Sequence, residues 1–271
     1  MSEPTSFVDR LAAICARRGR LAVGIDPHEQ LVRAWGYDYN PAGVEAVSRG
    51  AVAALADQVG VFKPQSAFFE VFGSAGMAVL QRVLGDITQA GAVGILDVKR
   101  GDIGSTMGAY ARAYLDETSP LAADAITLNP YLGFDALRPA LELAAAQARG
   151  VFVLARTSNP EGDDLQLART STGSVAQYVV DAAMAANRRL GTACVGLVVG
   201  ATRDHLDVDL SNFDGWVLAP GVGVQGGRPE NLDALFGSAA PRVLPSASRS
   251  VLRAGPDPDA LRAAAAGLVL Y

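Results

Sequence analysis

Val93-Gly94-Ile95-Leu96-Asp97-Val98-Lys99-Arg100-Gly101-Asp102 is an apolar run that breaks into alternating charges. A short run of this kind reads as a strand buried on both faces, as in parallel sheets. Side chains two apart in a strand share a face, so Asp97 and Lys99 point the same way at about 6.6 Å of rise. The charges therefore sit at the C-terminal lip of the strand, where the buried sheet meets water. Asp102 lies just beyond.

Working outward, similar apolar runs recur at 21–26, 59–63, 124–128, 151–155, 195–199, 216–219 and 242–246, giving eight candidate strands with 93–97. Helical stretches separate them. In 41–57, Val44, Val47, Ala51 and Leu55 fall on one stripe. Eight strand–helix units over about 250 residues predict an α/β chain folded as a (β/α)8 TIM barrel. Phe7, Leu11 and Ile14 or Cys15 repeat at helical spacing behind Ser6, an N-cap residue, which predicts an additional N-terminal helix across the barrel floor. The Ala-rich end from Asp257 to Tyr271 reads as the last outer helix. No linker, low-complexity tract or repeat divides the chain, so residues 1–271 are read as a single domain.

Composition narrows the class of function. Half of the 271 residues are hydrophobic, 19% are charged, and the net charge is −5, which supplies no basic stripe for nucleic acid. No uninterrupted apolar stretch reaches the roughly 18 residues of a membrane span. The N-terminal residues Glu3, Pro4 and Asp9 lack the basic-then-apolar order of a signal peptide. These features predict a cytoplasmic enzyme without a membrane partner. Cys15 and Cys194 have no second cysteine or histidine at metal-ligand spacing and read as small buried hydrophobes. His28 and His205 are too few for a zinc site or a catalytic triad; His28 reads as a surface loop residue.

In this fold the chemistry lies after the strands. The residues at those positions in this chain are Asp26, Lys63, Asp97 with Lys99, Asn129, Ser158, Gly221 to Gly227, and Arg249. D-x-K-x-x-D alone also occurs on solvated loops. Lys63 adds weight: if strands two and three are neighbours, Lys63, Asp97, Lys99 and Asp102 form an alternating network that fixes an ammonium in low dielectric. Pro220-Gly221-Val222-Gly223-Val224-Gln225-Gly226-Gly227 contains G-x-G-x-x-G. Too little chain remains after it for a dinucleotide domain, and strand eight ends without the acid that holds a ribose. A phosphate site after strands seven and eight fits better, with Arg249 as a bidentate cation. Ser158 either bonds a polar ring edge or caps a turn before Pro160; Asp26 either accepts from a sugar hydroxyl or opens a turn at Pro27.

Together these residues resemble the orotidine 5′-phosphate decarboxylase family. The resemblance rests on Asp26, Lys63, D-x-K-x-x-D-I-x-x-T from Asp97 to Thr106, Ser158, P-G-V-G-x-Q-G-G from Pro220, and Ser248-Arg249-Ser250, spanning almost the whole chain. It implies metal-free, cofactor-free decarboxylation of orotidine 5′-monophosphate to UMP in pyrimidine synthesis. By the same resemblance, Lys99 is the proton donor to C6 and Asp97 faces the departing carboxylate. Lys63 and Asp102 complete the network, with Asp26, Lys63 and Thr106 near the ribose. Ser158 addresses the pyrimidine, and Gln225 and Arg249 grip the phosphate, beside Pro220 and Ser248. Asp102, Ile103 and Thr106 are implied to reach the neighbouring site of a homodimer. Asn129 and Asn159 stand where many relatives carry histidine, which is similar to a divergent, mainly bacterial branch (type 2).

Two rival readings remain open in the sequence. Mg2+-dependent sugar-phosphate decarboxylases or aldolases of the same barrel superfamily share D-x-K-x-x-D. They place a carboxylate where this chain has Lys63, because a divalent ion needs oxygen ligands. A non-catalytic nucleotide-binding barrel would keep the phosphate grip and let the Lys–Asp network drift.

Overall fold

Ser6 starts the first helix: its hydroxyl accepts the Asp9 backbone N–H at 3.2 Å, and α1 (Phe7–Arg18) begins at the next residue. Such a cap supplies one of the partners that the first turn lacks. The computed structural model describes residues 6–202, 205–223, 226–227 and 231–270. Gln225, the predicted phosphate ligand, and Tyr271 lie outside the described residues.

The strands are β1 (Ala22–Ile25), β2 (Val61–Pro64), β3 (Val93–Arg100), β4 (Ala125–Leu128), β5 (Gly150–Arg156), β6 (Arg169–Thr170), β7 (Gly173–Ser174), β8 (Val195–Val199), β9 (Val217–Pro220) and β10 (Val243–Ala247). Eight of them close a parallel barrel in the order β1-β2-β3-β4-β5-β8-β9-β10, with β10 pairing back onto β1. These are the eight expected from the sequence, shifted by at most three residues at any end. The remaining two, β6 and β7, form a small antiparallel hairpin that the apolar pattern did not predict. Its residues are exposed or half-buried, so no run of hydrophobes marks it.

Helices α2 (Glu29–Ala34), α3 (Pro41–Leu55), α4 (Ala67–Glu70), α5 (Gly73–Gln89), α6 (Gly104–Leu115), α7 (Arg138–Ala146), α8 (Asp163–Gln166), α9 (Val175–Leu190), α10 (Leu232–Phe236), α11 (Arg249–Leu252) and α12 (Pro258–Ala266) alternate with the strands. The predicted stripe of α3, Val44, Val47, Ala51 and Leu55, is fully inward. The last helix is shorter than expected. It ends at Ala266 before Gly267, and the chain then returns so that Leu270 accepts the backbone N–H of Arg20 beside β1.

The barrel interior is filled rather than hollow. Phe7, Leu11, Ile14 and Cys15 of α1 join Ala22, Val61, Ile95, Ala125, Phe152, Leu218 and Leu244 in one cluster at the bottom. Phe7 meets Phe152 edge-on at 6.2 Å, and a Cβ at Gly150 would lie 2.3 Å from the Phe7 ring. A glycine is therefore what lets α1 seat against the floor. With the N-terminal end sealed, the open end of the barrel is the C-terminal mouth. Cys15 and Cys194 are buried as expected, and burial pushes their thiols up to about 12 and about 11, which keeps them protonated and inert.

Candidate active site

Strand pairing brings the charged residues together. β2 lies beside β3, so Lys63 and Asp97 enter the mouth from adjacent strands. The Lys63 ammonium donates to Asp97 Oδ2 at 2.9 Å, and the Lys99 ammonium donates to Asp97 Oδ1 at 2.6 Å. The side chains of Lys63 and Asp97 are 9% and 8% exposed, whereas that of Lys99 is 46% exposed. One carboxylate thus bridges a buried cation and one that faces the cavity.

The electrostatics derive from this burial. Desolvation alone raises the Asp97 carboxyl, but the charges of Lys63 and Lys99 and their hydrogen bonds outweigh it and hold the group well below the usual carboxylate range. For Lys63, burial works against the ammonium, and the charges of Asp97 and Asp26 overcome it, so its pKa is raised. Both groups are charged at neutral pH.

One expectation is met by an irregular route, and one needs correction. Lys99 meets Asp97 as the strand spacing predicts, but from an irregular backbone: the β3/β4 register shifts between Leu96 and Arg100, and Lys99 has φ +44°, in the left-handed region that residues other than glycine seldom occupy. Lys99 therefore meets Asp97 from an irregular end of β3 and not from a regular ladder. Asp102 does not join the network within the chain. The strand ends at Arg100, Gly101 packs against the Asn129 carbonyl where a Cβ would lie 2.2 Å away, and Asp102 Oδ1 accepts the N–H of Ile103 instead. Four alternating charges are therefore three in one chain. Ile103 is 60% exposed and Thr106 is exposed as well.

Sequence reasoning missed two polar residues beside the triad. Thr127, at the mouth end of β4, accepts the Lys99 backbone N–H at 2.9 Å and donates to Asp97 Oδ1 at 2.7 Å. Gln65, just past β2, reaches the Lys99 ammonium at 3.4 Å and donates to the Asp97 carbonyl at the same distance. The available signal was position: both stand at the same ends of the barrel strands as the charged residues.

Two adjoining hollows open above the triad. One, of about 220 Å3, is lined by Lys63, Asp97, Lys99 and Thr127 on one side and by Thr157, Ser158, Asn159 and Gly200 on another. Its neighbour, of about 160 Å3, is lined by Asp26, Lys63, Pro220 to Val222 and Ser246 to Ser250, including Arg249. Lys63 and Pro220 border both. In the second hollow, Asp26 Oδ1 and Ser248 Oγ are buried and have no hydrogen-bond partner among the described residues, which leaves them available to a polar ligand.

The described glycines of the segment after β9 bond to one another. Gly223 N–H donates to Gly227 O at 2.8 Å, and Gly227 N–H donates to Gly221 O at 3.0 Å, with φ near +90° at Gly221, Gly223 and Gly226. A Cβ at Gly223 would lie 2.2 Å from Ser250 Oγ, so glycine is needed for the turn to rest on the start of α11. His28 is not a simple loop residue: its Nδ1 accepts the Leu31 N–H at 3.3 Å as the N-cap of α2. Asn129 and Asn159 make local turn contacts, Oδ1 of Asn129 with Tyr131 N–H and Nδ2 of Asn159 with Glu161.

Fold and site define a (β/α)8 barrel protein with a buried lysine–aspartate pair and a second, cavity-facing lysine at its mouth. The family model for "Orotidine 5′-phosphate decarboxylase / HUMPS family" matches residues 19–264. The chain is 54% identical over 264 residues to the orotidine 5′-phosphate decarboxylase of Salinispora tropica, covering 96% of this chain and 94% of that protein. It is 48% identical over 267 residues to the Streptomyces coelicolor protein of the same name, with the same two coverages. Among solved structures, a chain from Streptomyces avermitilis superposes with a TM-score of 0.90 at 48% identity, covering 98% of this chain and 96% of that one. Leishmania donovani OMP decarboxylase gives 0.76 at 32% identity, covering 97% and 96%. The chain belongs to the orotidine 5′-phosphate decarboxylase / HUMPS family.

Proposed function

We propose that this chain decarboxylates orotidine 5′-monophosphate to UMP and CO2, with Lys99 as the proton donor and without a metal or cofactor. The observation that carries this reading is the triad: an ammonium held at 2.6 Å from a carboxylate that a second, buried ammonium keeps ionised. Breaking the bond between C6 and the carboxylate leaves an electron pair in the ring plane, where the ring π system cannot absorb it. Lys99 stabilises that pair as a fixed cation and then transfers its Nζ proton to C6. Asp97 faces the departing carboxylate. Asp26, Lys63 and Thr106 serve the ribose, Ser158 the pyrimidine, and Pro220, Gln225, Ser248 and Arg249 the phosphate. The buried oxygens of Asp26 and Ser248, without a partner among the described residues, support this division of the two hollows.

Lys63 also favours this reading over a Mg2+ enzyme of the same barrel. A divalent ion in contact with Asp97 would have to displace an ammonium already bonded to that carboxylate at 2.9 Å. The homodimer belongs to the same proposal. Asp102, turned from its own triad, and the exposed Ile103 and Thr106 are free to enter a partner's mouth across a two-fold axis. Among the described residues no helix is long and apolar enough to cross a membrane, in keeping with a cytoplasmic enzyme.

The test is the loss of orotidine 5′-monophosphate absorbance with purified protein, before and after EDTA treatment. Turnover undiminished by EDTA is expected. Absence of turnover, or strict Mg2+ dependence, contradicts the proposal.

A further inference from the structure

We propose that Thr127 is a positioning residue that sets both the backbone and the carboxylate behind Lys99. Its side chain is almost wholly enclosed, with the residue 1% exposed. A hydroxyl offers one proton and two lone pairs, and this one is committed at both ends. It donates to Asp97 Oδ1 at 2.7 Å and accepts the Lys99 N–H at 2.9 Å. The same Oδ1 receives the Lys99 ammonium at 2.6 Å. One oxygen of Thr127 thereby closes a ring that runs from the Lys99 backbone through Asp97 to the Lys99 side-chain nitrogen.

The ring answers a specific structural need. Lys99 stands in the β3 bulge with φ +44°, where the ladder to β4 loses its register and the Lys99 N–H receives its partner from a side chain instead of a strand carbonyl. An isolated left-handed residue of this type persists only when its surroundings over-determine it. Thr127 supplies that restraint and aims the carboxylate with the same atom. A regular β4 residue of equal size without a hydroxyl would leave the Lys99 N–H unpaired and Asp97 held by the two ammonium groups alone.

The inference rests on Lys99 as the proton donor and is tested beside it. Thr127→Val keeps shape and β preference while deleting the hydroxyl; Thr127→Ser keeps the hydroxyl and deletes a methyl. For Thr127→Val, kcat on orotidine 5′-monophosphate is expected to fall roughly 10- to 100-fold, the loss of one buried hydrogen-bonded link, with KM and UMP affinity within about threefold of wild type. Thr127→Ser is expected to recover kcat to within about threefold. Should Thr127→Val fail to fold, Thr127→Cys carries the same expectation, because a thiol is a weak donor and acceptor. Unchanged kcat in the Val or Cys variant, equal loss in Ser and Val, or parallel loss of kcat and UMP affinity overturns the inference. Wild-type protein that fails to turn over the substrate in the same assay overturns the underlying reading instead.

Discussion

Lys99 shows how far a residue's identity and its geometry can part. Its charge, and the partnership with Asp97 and Lys63, were legible because charged residues after apolar strands are costly unless paired. Its left-handed backbone and the Thr127 hydroxyl that holds it were not, because both depend on the offset between β3 and β4. Asp97 gives the clearest consequence at this scale. Its folded-state pKa lies below the unfolded value of about 3.9, so its stabilising effect is fully present above about pH 5 and is lost as pH falls through that value toward the folded pKa. Lys63 acts with the opposite sign: its raised pKa confers stability that is present below about pH 10 and lost at higher pH. Asp97→Ala, which strands the buried Lys63 ammonium, is expected to cost roughly 3–5 kcal/mol at pH 7 in urea denaturation. The gap to wild type should narrow toward pH 3. A constant gap from pH 7 to pH 3 would show that the carboxylate charge is not what stabilises the pair.

At the scale of elements, the barrel strands were readable because burial on both faces imposes continuous apolar runs, and α3 because its inward stripe repeats at helical spacing. The segment after β5 obeys neither rule. It is organised by Arg156, a guanidinium only 2% exposed. Nε donates to Asp207 Oδ2 and Nη2 to Asp163 Oδ1, each at 2.8 Å, and Nη1 donates to Gln166 Oε1 at 3.1 Å. The Arg156 carbonyl accepts Gly200 N–H at 2.8 Å, and a Cβ at Gly200 would lie 2.8 Å from that of Ser158. A single arginine thus ties the turn bearing Ser158 to α8 and to the loop after β8. Sequence shows an arginine near Ser158 but not that the fold brings to it Asp163, seven residues on, and Asp207, 51 residues on. Arg156→Leu should lower unfolding stability by at least about 2 kcal/mol, and Arg156→Lys should recover only part, since an ammonium cannot reproduce the planar fork. Denaturation midpoints of the two variants check this; an Arg156→Leu protein as stable as wild type would mean the arginine is incidental.

For the whole molecule, the seal of α1 at the floor and the glycine turn at the opposite end make one face of the barrel the place where charge, cavity and loop converge. That convergence was foreseeable from the order of residues after successive strands, whereas the separation of Asp102 from its own triad was implied only by the family resemblance, because it depends on the path the chain takes after Gly101. The proposed dimer restores the missing acid from a second copy. Mixed subunits carrying Lys99→Ala and Asp102→Ala, each inactive alone, should then recover about a quarter of wild-type turnover, since half of randomly paired dimers hold one intact site. No recovery on mixing would place Asp102 outside the partner's site. The central claim is narrower: the ammonium that Asp97 holds protonates the pyrimidine carbon. Its most direct measurement is turnover of orotidine 5′-monophosphate by folded Lys99→Ala protein with UMP affinity measured in parallel. A fall of at least about 10^4-fold in kcat with UMP still bound is expected; turnover near the wild-type rate would mean that Lys99 is not the proton donor.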